Sequence, residues 1–314
     1  MTIEIVSLGE PMVEFSQSLE TQRSYLKSIS GDTLNCVVAA ARLGSSVAYL
    51  TKLGSDSFAD DIRRFIRDEG ISDEFLSIVA DRRTGVYFIH HDEAGHHFDY
   101  YRNQSAAASY EPRDLPLDLL KNTRFFHSSG ISLAISESMF DSVGSAMKVV
   151  SQAGGNIVLD ANVRPSIIRN SDFRLSIEKL LPNVNYFLLS EEDAEYLIGT
   201  RNAEKILSWA LGAGARSAIL KKGDEGSVYA DSFTSFSTRA FNIDLKDATG
   251  AGDCFAGALM CALCRHVDIQ AALRYASAAA ALTCEGYGGT NALPRAEEVS
   301  ALLANSFGSQ AISF

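Results

Sequence analysis

Lys246-Asp247-Ala248-Thr249-Gly250-Ala251-Gly252-Asp253-Cys254-Phe255-Ala256-Gly257-Ala258-Leu259-Met260 is the stretch from which the rest of this chain can be read. Gly250, Ala251 and Gly252 carry little or no side chain, so the backbone there can approach an anion closely. The apolar run behind them starts a helix, and the first amides of a helix have no intrahelical acceptor. Gly250–Asp253 therefore turns free N–H groups and the positive end of a helix dipole towards one point, a setting suited to phosphate. It is also suited to the charge spread over a phosphoryl group in flight. Asp253 adds a carboxylate that can accept the proton of an attacking hydroxyl. The helix N-terminus is expected to keep Asp253 ionised, and a loose phosphoryl-transfer transition state asks for little base strength. A bare G-x-G-D reads more simply as a glycine turn with an Asp cap. The whole segment favours the anion site.

Outward from this segment the chain alternates strand and helix. Thr2–Leu8, Val47–Leu53, Phe125–Ser128, Asn156–Asp160, Tyr186–Leu189 and Ser217–Lys221 read as strands. Asp32–Leu43, ended by Gly44, and Phe58–Glu69, stopped by Gly70, read as helices. Such alternation predicts an α/β fold: a mostly parallel, Rossmann-like sheet flanked by helices. Thr84–Ala106 departs from the pattern. Two strand-like runs flank Asp92-Glu93-Ala94-Gly95, which is hairpin chemistry, and Val13–Ile29 is a candidate for further strands. The expectation is one domain over 1–314 carrying a small β-sheet lid drawn from about 13–29 and 84–106.

The net charge of −11 argues against nucleic acid as the main partner. A small anionic ligand stays compatible, because helix N-termini and a few arginines make a site locally positive. No apolar run approaches a membrane span, and Met1–Leu8 is too short and lacks the basic flank of a signal peptide, so a soluble chain is expected. Scattered thiols suit a reducing cytoplasm. Cys261 and Cys264 form a C-x-x-C, but inside an alanine- and leucine-rich helical pattern with no second pair, so zinc is not expected there. His90, His91, His96 and His97 flank the hairpin turn and read as exposed decoration, since no acidic or thiol set closes a metal site.

Four motifs in order resemble the ribokinase-type (PfkB) carbohydrate kinases, over nearly the whole chain. Asp247–Asp253 is similar to the family's D-T-x-G-A-G-D. Ser30-Gly31-Asp32-Thr33-Leu34-Asn35 is similar to its G-G-x-x-x-N. Asp160-Ala161-Asn162-Val163-Arg164 resembles D-x-N-x-R, and Lys221-Lys222-Gly223-Asp224-Glu225-Gly226 resembles K-x-G-x-x-G. The resemblance implies a ribokinase-like fold and a kinase using ATP and Mg²⁺, with a monovalent cation as a further candidate. It implies Asp253 as base, with Gly250, Ala251 and Gly252 as the anion hole. Gly31, Asp32 and Asn35 would hold sugar hydroxyls. Asn162, Ser190, Lys222, Gly223, Gly226, Gly250, Gly252 and Ser277 would lie along the nucleotide. Ser190-Glu191-Glu192-Asp193 stands where the family carries N-x-x-E, so the direct metal ligands stay unassigned. A homo-oligomer paired through lid strands is a further implication of the resemblance.

Tyr100-Tyr101-Arg102, together with Arg164, looks like the 2-keto-3-deoxygluconate kinase branch, in which two such arginines meet a sugar acid. A planar guanidinium matches a carboxylate, and a neutral sugar gives it no such partner. Tyr87 and Tyr100 would pack on the sugar, while Gly289 stands where some relatives carry an acidic ligand. The expectation is transfer of phosphoryl to the 6-hydroxyl of 2-keto-3-deoxygluconate. The alternatives are a fructokinase or other neutral-sugar kinase, or a non-catalytic sugar or nucleotide sensor. Arg102 and Arg164 paired with protein acids would favour the neutral sugar.

Overall fold

A computed structural model describes residues 2–18, 21, 23–92, 95–168 and 172–306. The described residues form thirteen strands: β1 (Ile5–Leu8), β2 (Met12–Gln17), β3 (Tyr25–Ser30), β4 (Val47–Gly54), β5 (Leu76–Val79), β6 (Gly85–Asp92), β7 (Gly95–Tyr101), β8 (Phe125–Ser129), β9 (Asn156–Asp160), β10 (Tyr186–Ser190), β11 (Ser217–Lys221), β12 (Ser227–Asp231) and β13 (Ser235–Thr238). Nine form one sheet in the order β13-β12-β11-β10-β9-β8-β1-β4-β5. It is parallel from β11 to β5 and antiparallel only where β12 and β13 close one edge.

Strands such as β1 and β8 are buried along their whole length, as a sheet covered on both faces requires. Period-2 alternation splits their side chains between two cores. Ile5, Phe125, Val158 and Ile219 face helices Asp32–Arg42, Ala251–Cys264 and Ile269–Cys284, while Val6, Phe126, Ile157 and Leu220 face the opposite helical layer. On the first face two helices meet backbone to side: a Cβ on Gly257 would lie 2.3 Å from the Cys36 carbonyl oxygen. Cys261 and Cys264 are buried free thiols on helix Ala251–Cys264.

The remaining strands form a separate sheet in the order β3-β2-β6-β7. It is the small β-sheet expected beside the large one, and the parallel pairing of β2 with β6 joins its two sequence-distant segments. Glu93 and Ala94 of the predicted turn lie outside the described residues, as do residues 19, 20 and 22 between β2 and β3 and the side chains of His91 and His96. No helix among the described residues is long and apolar enough to cross a membrane.

Candidate active site

Asp160, Ser190 and Lys221 end β9, β10 and β11, at the edge of a parallel sheet where ligands bind. They share a cleft of about 980 Å³ with the N-termini of helices Asp32–Arg42 and Ala251–Cys264, and Met12, Tyr87, Phe98 and Tyr100 of the small sheet form its other wall.

At the cleft floor Gly250 caps helix Ala251–Cys264 with φ 79°, a left-handed turn that a side chain would strain. Asp247 holds this turn: its Oδ1 accepts from Thr249 N and Oγ1 at 2.9 and 2.7 Å, and its Oδ2 accepts from Gly288 N at 3.0 Å. Gly252 and Asp253, at the second and third helical positions, keep amides without an intrahelical acceptor. Ala251 departs from the expectation, since its N–H donates to the Ala248 carbonyl at 3.2 Å and it does not line the cleft.

Asp253 lines the cleft at this helix start, with Asn35 Nδ2 donating to its Oδ2 at 2.8 Å. Its protonation corrects the expectation of a helix-stabilised anion. Loss of solvent around the carboxyl and the nearby Asp32 push its pKa up to about 8, against the opposing pull of Asn35. Asp32 in turn accepts from Asn162 Nδ2 at 3.2 Å, and Asn162 holds a left-handed φ of 32°.

Lys221, which the sequence reading passed over for its neighbour, donates from Nζ to Asp160 Oδ2 at 2.6 Å. Burial works against this ammonium, but Asp160 and Asp193 outweigh it and hold the lysine above its ordinary pKa. A Cβ on Gly252 would come within 3.1 Å of Nζ, so the ammonium sits beside the glycine turn. Lys222 lies on the cleft rim, in ion pairs with Glu225 and, at 3.7 Å, with Glu191. Strand parity carries the missed signal: Lys221 shares a strand face with Ile219, and Asp160 with Val158, and Ile219 and Val158 pack in the core with the helices that form the cleft floor.

The nucleotide-side residues are divided. Gly223 lines the cleft, but Gly226 and Ser277 do not. Gly226 has φ 98° and lies against β13, where a Cβ would meet the Thr238 carbonyl at 2.0 Å, so its role is in the turn. Ser277 is buried in helix Ile269–Cys284. Ser190 is a helix cap: its Oγ accepts from Asp193 N at 3.1 Å, and Asp193 Oδ2 accepts from Ser190 N at 2.8 Å. Asp193 Oδ1 accepts from Val163 N at 2.7 Å, so backbone amides occupy both oxygens.

Gly31, Asp32, Asn35, Tyr87, Tyr100, Arg102 and Arg164 all line the cleft. Gly31 caps its helix at φ 140°, with the Glu10 carbonyl 2.7 Å from where a Cβ would sit. The Tyr87 hydroxyl donates to Glu14, a carboxylate buried in the small sheet that also accepts from Ser28 Oγ at 3.0 Å. Arg102 is not open as expected. It forms an ion pair with Glu10, and both side chains are almost wholly buried. Arg164 is exposed at the cleft edge and donates from Nη1 to the Val163 carbonyl at 2.9 Å. A Cβ at Gly289 would lie 2.7 Å from Ser30 Oγ and 3.0 Å from Asn35 Nδ2, so this glycine packs closely against both side chains. Glu10 and Glu14 went unnoticed because burial, not motif, marks them, and Lys221, the first residue of the K-x-G-x-x-G stretch, because only its pair with Asp160 sets it apart from Lys222.

Residues 2–296 match the model of the pfkB family carbohydrate kinases. The chain belongs to that family. As a pfkB family kinase it is a phosphotransferase acting on a sugar hydroxyl. Its relatives divide over the sugar. The 2-dehydro-3-deoxygalactonokinase of Haloferax volcanii is 29% identical, covering 90% of this chain and 91% of its own. The 2-dehydro-3-deoxygluconokinase of Thermoproteus tenax is 28% identical over 96% and 94%. Probable fructokinase-4 of Arabidopsis thaliana is 29% identical over 95% and 96%. The crystal structure of fructokinase with bound ATP from Xylella fastidiosa superposes with a TM-score of 0.90 at 22% identity, covering 98% of this chain and 99% of that one, which shows the ribokinase-like fold.

Proposed function

We propose that this pfkB family kinase moves the γ-phosphoryl group of ATP to the 6-hydroxyl of an acidic 2-keto-3-deoxy sugar of the 2-keto-3-deoxygluconate class. The observation that carries the reading is that two guanidiniums, Arg102 and Arg164, line the cleft that also holds Asp253. In this reading Asp253 takes the hydroxyl proton as the oxygen attacks the γ-phosphorus and ADP leaves. Gly250 and Gly252 receive the transferring group, and Lys221 offers it a fixed positive charge. Gly31, Asp32 and Asn35 orient the sugar, Tyr87 and Tyr100 cover it, and Asn162, Lys222 and Gly223 border the nucleotide. Among the described residues no group of three or more His, Cys, Asp or Glu side chains is arranged to hold a metal, and Asp193 is committed to the backbone. Mg²⁺ would therefore enter with the triphosphate. A cytoplasmic homo-oligomer remains part of this reading.

The second reading is a neutral-sugar kinase, and the Glu10–Arg102 ion pair favours it because it cancels one of the two charges. An ATP-consumption screen over sugar acids and matched neutral sugars separates the two. Higher kcat/KM for 2-keto-3-deoxygluconate than for fructose is expected, and the reverse order rejects the acidic sugar.

A further inference from the structure

Glu10 lies in the connection from β1 of the large sheet to β2 of the small one, and Arg102 directly follows β7, where the chain leaves the small sheet. Gly85, which opens β6, touches the same carboxylate: a Cβ there would lie 2.7 Å from Glu10 Oε1. Three passages of the chain between the sheets thus converge on one buried anion and one buried cation, whose side chains are 2% and 8% exposed. Beyond their ion contact, neither Glu10 oxygen has a hydrogen-bond partner, and neither do Nε and Nη2 of Arg102. Buried polar atoms are normally satisfied, and a buried ion pair repays its desolvation only with good supporting bonds. This pair is under-supported, and its arginine lines the cleft.

We propose that Glu10 is the internal counter-ion that sets how much charge Arg102 offers a substrate, and that it competes with a sugar carboxylate for the guanidinium. The inference rests on the acidic-sugar reading and deepens it. Glu10 acts through Arg102 and not on the sugar. Removing the Glu10 charge alone leaves a desolvated guanidinium without an anion. The sugar-free enzyme bears that cost, and an acidic ligand relieves it, so the variant binds acids more tightly. A neutral sugar gives no such relief.

The test compares wild type and Glu10→Gln by kcat and KM on 2-keto-3-deoxygluconate and on fructose, and by thermal melting with and without each sugar. The acid-over-fructose ratio of kcat/KM should rise about tenfold, the equivalent of about 1.4 kcal/mol, with the change lying in KM for the acid. Without sugar the variant should melt earlier than wild type, and the acid should restore it more than fructose does. Equal losses on both sugars would make Glu10 a structural support and overturn the proposal. A rise in KM for the acid alone would make it an aligner of Arg102 and overturn it equally. If Glu10→Gln does not fold, Glu10→Asp keeps the charge but withdraws it, and should move the ratio the same way by a few-fold. No shift, or the opposite one, rejects the counter-ion. The two readings fail separately: a wild type that prefers fructose counts against the acidic sugar, while a gain for acids in the variant still supports Glu10.

Discussion

A group that must take up a proton serves best when its proton affinity lies near the working pH, and Asp253 approaches this through lost solvent and a neighbouring anion. As the proposed base, its replacement in Asp253→Asn should lower kcat by about 10²–10⁴-fold while nucleotide titration still shows binding. A loss of less than about tenfold would reject the assignment. The raised pKa also has a stability consequence with a definite sign. The folded state holds this proton above pH 3.8 and gives it up near 8, so its stabilisation is full below that window and is lost as pH rises through about 8. The wild type should lose melting temperature from pH 5 to 8 more steeply than Asp253→Asn. Its kcat/KM should climb over an acid limb centred near 8 in the sugar-free enzyme. Lys221→Met should lower kcat and also stability, because it strands the buried Asp160 at a cost of about 3–5 kcal/mol. Adding Asp160→Asn should recover the melting temperature but not kcat. Recovery of both would make Lys221 structural only. The glycine turn and Asp253 were legible because their chemistry is written in consecutive residues. Glu10, Glu14 and Lys221 were not, since each acquires its meaning from a partner more than ten residues away that only folding brings near.

At the scale of elements, the parallel strands other than β5 were legible from their apolar runs, and Asn156–Asp160 and Ser217–Lys221 have the expected bounds, while β5 at the sheet edge is partly exposed and lacks such a run. The antiparallel β12–β13 edge was not, because Ser235–Thr238 is short and mostly polar. The β2–β6 pairing escaped for another reason: parallel partners far apart in sequence share no turn that could announce them. That pairing makes the small sheet one hydrogen-bonded unit over the cleft. If it closes over the sugar, amides of β2, β6 and β7 should exchange more slowly when substrate saturates the enzyme. Hydrogen exchange with and without sugar measures this, and unchanged protection in all three strands counts against closure.

Across the whole molecule, the two sheets divide the work. The large sheet and its helices carry the proposed phosphoryl chemistry, and the small sheet supplies Met12, Tyr87, Phe98 and Tyr100 to the opposite wall of the cleft. Arg164 stands on the large-sheet side, at the proposed sugar end of the cleft. Arg164→Ala should lower kcat/KM for an acidic sugar by about 10- to 150-fold, from about 1.5–3 kcal/mol for a charged hydrogen bond. Fructose should change only a few-fold, and equal losses on both would make Arg164 structural. The division requires a rigid mounting between sugar and phosphate, and Gly257 provides it. Asn35 and Asp253 stand on two helices whose spacing is set close by, where Gly257, one turn after Asp253, admits the carbonyl of Cys36, the residue after Asn35. Any side chain there would wedge the helices apart and carry Asp253 away from Asn35. A residue that touches no ligand is therefore closed to drift: a lineage could exchange one sugar for another at the cleft wall, but not enlarge this hidden glycine and keep a working kinase.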